Sequence, residues 1–280
     1  MSGTKTNLAF KITNWCNLQC RHCCENSGPS QSPRLMSLDK MKKYLDEFNA
    51  LPIEKYDSLV FTGGEVMAPY YHGEQKYIPE CLKMAIDANM LPILKTNGIW
   101  GNDKALKDKI FYDIESVAYN TGKLIAMDIS VDRFHNNLGA VANIINDVVR
   151  DSELGFCLAL TIQGIHKNST HAVYDLYSAL LTHGIRPYSR TRQDDSILLT
   201  DGQSLYPLYY NFKQSVANTG RARANKLGMF ELTGKADVYG DCVMIDSNDV
   251  LRLNNVRGSA IHNRPIGEVI QQLKNKEKQH

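Results

Sequence analysis

Apolar runs recur along the chain at intervals close to the length of one strand and helix, and this spacing restricts the possible folds more than any other feature. In a parallel α/β fold, a strand, its turns and the following helix together take about 30 residues. The first interval is longer because it also contains a cysteine-rich segment. The spacing predicts consecutive strand–helix units with parallel strands. The apolar runs begin near Leu8, Ser58, Leu91, Ile125, Phe156 and Ile185.

The segments between these runs have the periodicity of amphipathic helices. A closed barrel of eight units typically takes about 250 residues, and the chain beyond residue 190 does not show two further units. We therefore predict an α/β fold in which residues 1–195 form a partial (β/α)6 TIM-like barrel. The predicted helices are Leu38–Leu45, Tyr77–Ala88, Asp103–Tyr119, Leu138–Val149 and Ala172–Leu181.

The pattern changes beyond residue 195, and residues 196–280 are predicted to form a small C-terminal α+β extension. The aromatic-rich stretch Tyr206–Tyr210 is predicted to be helical. The segment Cys242–Leu253 has turn residues at its centre and is typical of a β-hairpin. A last helix is predicted from Ile266 to Lys274.

Composition and charge exclude several classes of protein. A chain of 280 residues with 43% hydrophobic residues can bury a sizeable core. Its net charge of +2 gives no indication of nucleic acid or an anionic membrane as a partner. We find neither an apolar run of about 18 residues nor the apolar region of a signal peptide. Seven cysteines, an odd number, favour a reducing compartment, so we expect a cytoplasmic protein.

Three of the cysteines, Cys16, Cys20 and Cys23, follow the first apolar run at intervals of four and three residues. Iron–sulfur clusters are held by thiolates, usually four for a cubane cluster. Three thiolates would leave one iron open to an exogenous molecule. A zinc knuckle or a disulfide loop is the alternative, but zinc usually takes four ligands with paired spacings. The sequence offers no second cysteine pair.

The Cys-x3-Cys-x2-Cys spacing after a first strand resembles that of the radical S-adenosylmethionine (SAM) superfamily. The resemblance implies a [4Fe–4S] cluster on Cys16, Cys20 and Cys23, with SAM bound at the open iron. In that family the reduced cluster cleaves SAM and yields a 5′-deoxyadenosyl radical. An electron donor such as flavodoxin or ferredoxin is also implied. His22 stands where the family usually has an aromatic residue against the adenine.

Glycine-rich and polar segments follow the second and third predicted strands. Gly63, Gly64 and Glu65 follow the second strand, and paired glycines allow the backbone to approach a ligand closely. A tight turn is the alternative. In the resembled family this motif holds the ammonium group of SAM. Thr96 and Asn97 follow the third strand and are predicted to contact the cofactor's ribose or to form a turn.

Period-two alternation places Asp128, Ser130 and Asp132 on one face of the fourth strand. A buried polar face is costly unless something binds there. We assign Ser130 to cofactor binding and Asp132 to catalysis. Asp132 and His135 resemble a segment of radical SAM enzymes that carry a SPASM or twitch extension, and His135 is the second catalytic candidate. A purely structural Asp132–His135 pair is the alternative.

Two later segments add candidates for cofactor binding. Thr161 and Gln163 lie near the end of the fifth predicted strand, which in the resembled family packs on the adenine. Arg190 follows the sixth apolar run and could bind a carboxylate through both guanidinium nitrogens. The alternative for Arg190 is a solvated charge cluster with Asp194 and Asp195.

The C-terminal part resembles a SPASM or twitch extension, through Gly220–Ala222 and the predicted hairpin. Such extensions carry auxiliary clusters on several cysteines, whereas only Cys242 is present here. We therefore expect a degenerate extension without an auxiliary cluster, covering the barrel mouth. Redox-neutral chemistry then becomes attractive, with Cys242 near the mouth as a catalytic hydrogen-atom donor. The alternative is an inert cysteine.

These features predict a radical SAM enzyme that modifies a peptide, as in the maturation of ribosomally made natural products. About seven residues precede the first predicted strand, which we expect to leave no room for a leader-binding domain. The alternative substrate is a small molecule such as a sugar or nucleotide, modified by epimerisation, elimination or dehydrogenation. An alternative of another class is a non-catalytic iron–sulfur or zinc-binding protein.

Overall fold

The computed structural model describes residues 5–23, 25–132, 134–165, 169–191, 196–214, 241–253, 256–261 and 264–277. These residues fall into two compact units. The first unit comprises the described parts of 1–19, 23–92 and 217–280, and the second comprises those of 20–22 and 93–216. Among the described residues, no helix is both long and apolar enough to cross a membrane.

The described elements alternate between strand and helix along most of the chain, as the apolar spacing predicts. The strands are β1 (Thr6–Lys11), β2 (Lys55–Thr62), β3 (Leu91–Thr96), β4 (Ile125–Ser130), β5 (Leu158–Ile165), β6 (Arg186–Thr191), β7 (Ser196–Thr200), β8 (Leu205–Gln214), β9 (Asp241–Asp246), β10 (Val250–Leu253) and β11 (Val256–Ala260). The helices are α1 (Leu38–Asn49), α2 (Ala68–Tyr71), α3 (Tyr77–Asp87), α4 (Lys104–Thr121), α5 (Leu138–Arg150), α6 (Ser152–Cys157), α7 (Ser169–Thr182) and α8 (Ile266–Glu277), with a 3₁₀ helix at Ile99–Asn102.

The six predicted helices are confirmed as α1, α3, α4, α5, α7 and α8. The apolar stripe of α1 shows why the prediction succeeds, since Met41, Leu45 and Phe48 are all buried at helical spacing. Helix ends differ from the prediction by a few residues, as at α1, which continues from the predicted Leu45 to Asn49.

In the first unit, β1 lies between two parallel neighbours, β2 and β9. The predicted hairpin is confirmed, because β10 runs antiparallel to β9 and β11 runs antiparallel to β10. Phe10 and Phe61, on paired strands, are completely buried. Lys11 at the end of β1 is paired with Thr62 on one side and Asp246 on the other. The carboxyl ends of β1, β2 and β9 therefore meet at one edge, where the cysteine segment begins.

In the second unit, β3, β4 and β5 are parallel neighbours. One face of β4 is completely buried at Ile125, Met127 and Ile129, and residues on the other face are half-buried. In parallel α/β sheets such an apolar face is covered by helices. The half-buried face carries Asp128 and Ser130, as the alternation predicts.

The structure corrects the elements predicted around the sixth strand. Beside β5 lies β8, parallel to it, and not the predicted strand near Ile185. That region forms β6, which pairs antiparallel with β7, as β7 does with β8. Residues 186–189 of β6 are exposed and include Pro187, as is typical of an edge strand.

The predicted helix at Tyr206–Tyr210 is wrong, because this stretch belongs to β8. Burial alternates with period two along it, with Tyr206 and Leu208 buried and Tyr209 exposed. The start predicted for the fifth strand is also wrong, since Phe156 and Cys157 end α6. The division at residue 195 into barrel and extension stays a prediction; β7 and β8 lie in the second unit with β3–β5.

Candidate functional site

The segment after β1 places Cys16 in a buried position in the first unit. The Leu18 backbone N–H donates to the Cys16 sulfur at 3.4 Å, and the Cys16 N–H donates to the Gly28 carbonyl at 3.3 Å. Hydrogen bonds to sulfur are among the contacts that tune iron–sulfur clusters. Cys23, in the same unit, is half-buried, and Cys20, in the second unit, is half-buried as well. All three thiols thus belong to a single segment with the donor chemistry that a cluster needs.

Gly63 and Gly64 allow the cysteine segment to pack directly on the loop after β2. The Gly64 N–H donates to the Thr13 carbonyl at 2.9 Å, and the Glu65 N–H donates to the Trp15 carbonyl at 2.9 Å. A Cβ on Gly64 would lie 2.0 Å from the Trp15 oxygen, and one on Gly63 would lie 2.6 Å from the Thr13 oxygen. Only glycine fits at either position, because the obstacle is backbone.

Glu65 is almost completely buried, and its carboxylate accepts the Met67 backbone N–H at 3.0 Å. The predicted contact of this motif with the SAM ammonium stays a prediction. The structure adds a second role that follows from its contacts: the motif fixes the backbone immediately before Cys16.

A group of charged residues that the sequence analysis missed ties the far end of the cysteine segment to the sheet. Glu25 accepts from Lys11 Nζ at 2.6 Å and from Arg252 Nη1 at 3.1 and 3.2 Å. Burial alone would raise the pKa of Glu25, but Lys11 and Arg252 hold that pKa below its usual value. The partners are 14 and 227 residues away in the chain, so no local pattern signals the contact.

Replacing Glu25 by glutamine should therefore destabilise the protein by roughly 2 to 3 kcal/mol, because it leaves the buried Lys11 without its counter-charge. Since the pKa of Glu25 is lowered in the folded protein, the contribution of Glu25 to the free energy of unfolding is present at neutral pH. This contribution is lost as the pH falls from 4.5 through the folded-state pKa. Urea unfolding at pH 7 and pH 4 measures both effects. Glu80→Gln, in an exposed pair with Lys83, is the matched control and should change stability by less than about 0.5 kcal/mol.

In the second unit, Thr96 and Asn97 form the turn after β3. The Thr96 hydroxyl accepts from the Gly98 N–H at 3.1 Å and from the Trp100 indole at 3.0 Å. The Asn97 side-chain oxygen accepts from the Ile99 N–H at 3.0 Å. Both side chains are buried. These contacts fit the turn interpretation, and the ribose contact stays a prediction.

Asn137, which the sequence analysis missed, joins the ends of β3 and β4. Its amide nitrogen donates to the Asn97 carbonyl and to the Ser130 carbonyl, the latter at 2.8 Å. Its side-chain oxygen is buried and has no hydrogen-bond partner among the described residues. A buried acceptor without a partner is costly unless a ligand supplies a donor. The only local signal was an asparagine directly before a helix, which usually indicates a cap.

The half-buried face of the second unit's sheet carries a row of polar side chains. Lys95, Asp128 and Thr161 are paired across β3, β4 and β5, and Ser130 is paired with Gln163. The Gln163 amide donates to the Asp128 carboxylate, and Lys95 Nζ lies 3.7 Å from it. Burial raises the pKa of Asp128, and this effect outweighs the lowering by the positive charge of Lys95. The predicted adenine contacts of Thr161 and Gln163, and the cofactor role of Ser130, stay predictions.

The two catalytic candidates Asp132 and His135 lie together with His22. His135 Nδ1 is 2.9 Å from Asp132 Oδ1, and His22 Nε2 is 3.9 Å from Asp132 Oδ2. The His22 ring packs on Phe134, with ring centres 4.6 Å apart. Burial alone would raise the pKa of Asp132, but His135 and His22 hold it below its usual value. The sequence predicted the Asp132–His135 neighbourhood but not its contact with His22.

The structure corrects the position predicted for Cys242. Cys242 is paired with Asn7, near the start of β1. The cysteine segment begins at the other end of this strand, after Lys11, which is four residues further along the chain. At about 3.3 Å per residue this separates it from that edge by roughly 13 Å. Within the described part of the extension, β9 extends the sheet beside β1, and the covering of a barrel mouth stays a prediction. The hydrogen-donor role stays a prediction that this placement does not favour.

Several predicted residues lie outside the described part. These are the side chain of Arg190, together with Asp194, Asp195 and Gly220–Ala222. The resemblance of the C-terminal part to a SPASM or twitch extension therefore stays a prediction.

Comparison with known proteins identifies one domain of the chain. The model of the radical SAM superfamily matches residues 10–146, which include the three cysteines and the strand ends of β1–β4. A curated relative, the putative peptide biosynthesis protein YydG of Bacillus subtilis (strain 168), is 25% identical over 177 residues. This match covers 62% of the chain but only 51% of YydG, so the chain matches about half the length of that relative.

A solved structure, described as native anSMEcpe with bound AdoMet, matches 97% of the chain and 82% of its own length. The TM-score is 0.53 at 13% sequence identity, so the likeness concerns the fold. It supports the predicted fold class: a mixed α/β fold with parallel strands, consistent with an open, TIM-like partial barrel. The chain therefore carries a radical SAM domain over residues 10–146, and such a domain indicates an enzyme.

Proposed function

We propose that the chain is a radical SAM enzyme that binds a [4Fe–4S] cluster on Cys16, Cys20 and Cys23 and acts on a peptide. The observation that carries the proposal is the backbone contact between Gly63–Gly64 and Thr13–Trp15. Glycine loses more conformational entropy on folding than any other residue, yet this contact requires two of them. The contact fixes the segment that leads into the cysteine loop. When bound, the cluster and SAM supply a radical that abstracts hydrogen from the substrate.

The residues of the chain have distinct tasks in this proposal. The buried Cys16 sulfur, with the Leu18 N–H directed at it, is a preformed thiolate position. Glu65 and the Gly63–Gly64 backbone hold the cysteine segment and provide polar groups for the methionine part of SAM. The buried Asn137 side-chain oxygen accepts a hydrogen bond from the ligand. These assignments rest on donor chemistry and burial.

A peptide substrate is supported by two observations. The relative YydG is named a peptide biosynthesis protein. The half-buried sheet face of the second unit presents Lys95, Asp128 and Gln163, which can donate to and accept from peptide amides. Reduction of the cluster requires an external electron donor, for which we propose a small protein such as flavodoxin or ferredoxin.

The experiment is anaerobic reconstitution followed by iron and sulfide analysis and measurement of 5′-deoxyadenosine after addition of dithionite and SAM. We expect about four irons per chain and cofactor cleavage. Stimulation of cleavage by a pool of synthetic peptides, but not by a pool of sugars and nucleotides, would support the peptide assignment. A protein that binds iron without cleaving SAM would overturn the enzymatic proposal, and the reverse pattern of stimulation would overturn the substrate class.

A further inference from the structure

The carboxylate of Asp132 faces one imidazole on each of its two oxygens. His135 Nδ1 lies 2.9 Å from Oδ1, and His22 Nε2 lies 3.9 Å from Oδ2. One ligand atom from each of the three residues lies within 4.8 Å of the others. Ligand nitrogens and oxygens lie about 2.0–2.2 Å from a zinc ion, so two ligands of one ion are about 3 to 3.6 Å apart. Small side-chain movements would bring all three atoms to these distances.

Burial and charge in this group also suit a cation. The Asp132 side chain is 3% exposed, and the His22 and His135 side chains are 15% and 11% exposed. The Asp132 carboxylate supplies a negative charge and acceptor oxygens to a bound cation. The Phe134 backbone N–H donates to Asp132 Oδ1 at 2.8 Å and fixes the carboxylate. Such a supporting hydrogen bond is typical around metal ligands.

We propose that His22, Asp132 and His135 bind one divalent first-row transition ion, separate from the iron of the cysteine-bound cluster. Two imidazole nitrogens and one carboxylate oxygen form the donor set of catalytic zinc sites and of mononuclear iron(II) sites with open positions. The set leaves positions on the ion for water or for a substrate oxygen. The site goes beyond the proposed radical chemistry and does not depend on it, because none of its ligands is a cysteine.

The site is tested with zinc on the anaerobically reconstituted protein, whose cysteines are occupied by iron. After dialysis against Zn²⁺, mass spectrometry of the metals should give about one zinc per chain in addition to about four irons. Zinc-edge X-ray absorption should show nitrogen and oxygen ligands without sulfur. Zinc with sulfur ligands, or no zinc above background, would overturn the proposal.

Variants separate this site from the cluster. Asp132→Asn keeps the shape and the acceptor for the Phe134 N–H but removes the charge, and it should weaken zinc binding at least about tenfold with iron unchanged. His135→Ala should do the same. His171→Ala removes an exposed imidazole on α7 and should leave zinc binding as it is. Unchanged zinc affinity in Asp132→Asn would contradict the site. An unaltered protein that bound no iron or did not cleave SAM would contradict only the proposed function.

Discussion

Replacing Cys20 by alanine is expected to remove the iron–sulfur cluster and all SAM cleavage. A cubane cluster held by only three thiolates has no spare protein ligand, so losing one leaves two irons without protein anchors. Iron should fall from about four per chain to near zero after anaerobic reconstitution, together with the cluster's visible absorbance. The expected loss of 5′-deoxyadenosine formation is complete, because electron transfer to SAM requires the cluster.

The control for this variant is Cys242→Ala, which removes a half-buried thiol at the opposite end of β1 from the cysteine segment. Iron content should remain at about four per chain, since Cys242 is not among the proposed ligands. Normal iron and absorbance in Cys20→Ala would show that the ligand assignment is wrong. Loss of iron in Cys242→Ala would show instead that the C-terminal hairpin takes part in cluster binding.

The fold class could be predicted from the sequence because it depends on local periodicity. The α1 stripe of Met41, Leu45 and Phe48 has helical spacing, and Ile125, Met127 and Ile129 in β4 alternate. Each pattern follows directly from which face of the element is buried. The order of strands in the sheet does not follow from such local patterns. Nothing local indicates that β8 rather than β6 lies beside β5, since this depends on partners far apart in the chain.

The same limit applies to the candidate site. The cysteines and glycines carry a spacing that can be read in the sequence, and the glycines proved to be required by backbone contacts. Asn137 could not be distinguished from an ordinary helix cap, because its task is to join two strand ends that only the fold brings together. Glu25 and Arg252 meet across 227 residues, and the contact of His22 with Asp132 is similarly remote. Side-chain networks of this kind depend on tertiary structure.

Replacing Gly64 by alanine should cause the second large effect. The added Cβ would lie 2.0 Å from the Trp15 carbonyl oxygen and 2.9 Å from that of Asn14, both backbone atoms that no rotamer change can move away. The loop would have to separate from the cysteine segment and lose the hydrogen bonds from Gly64 to Thr13 and from Glu65 to Trp15. We expect a destabilisation of roughly 3 kcal/mol or more, with reduced iron binding because the entry to the cysteine loop is displaced.

Thermal unfolding of the iron-free protein and iron analysis after reconstitution measure the two consequences of Gly64→Ala separately. Gly139→Ala is the matched control, because nothing lies within 4 Å of its added Cβ and the residue is on helix α5. Alanine is favoured over glycine in helices by about 1 kcal/mol, so this control should be as stable as the parent or slightly more so. If Gly64→Ala retained parental stability and iron content, the contact between the glycine loop and the cysteine segment would not be what holds the cluster-binding segment in place.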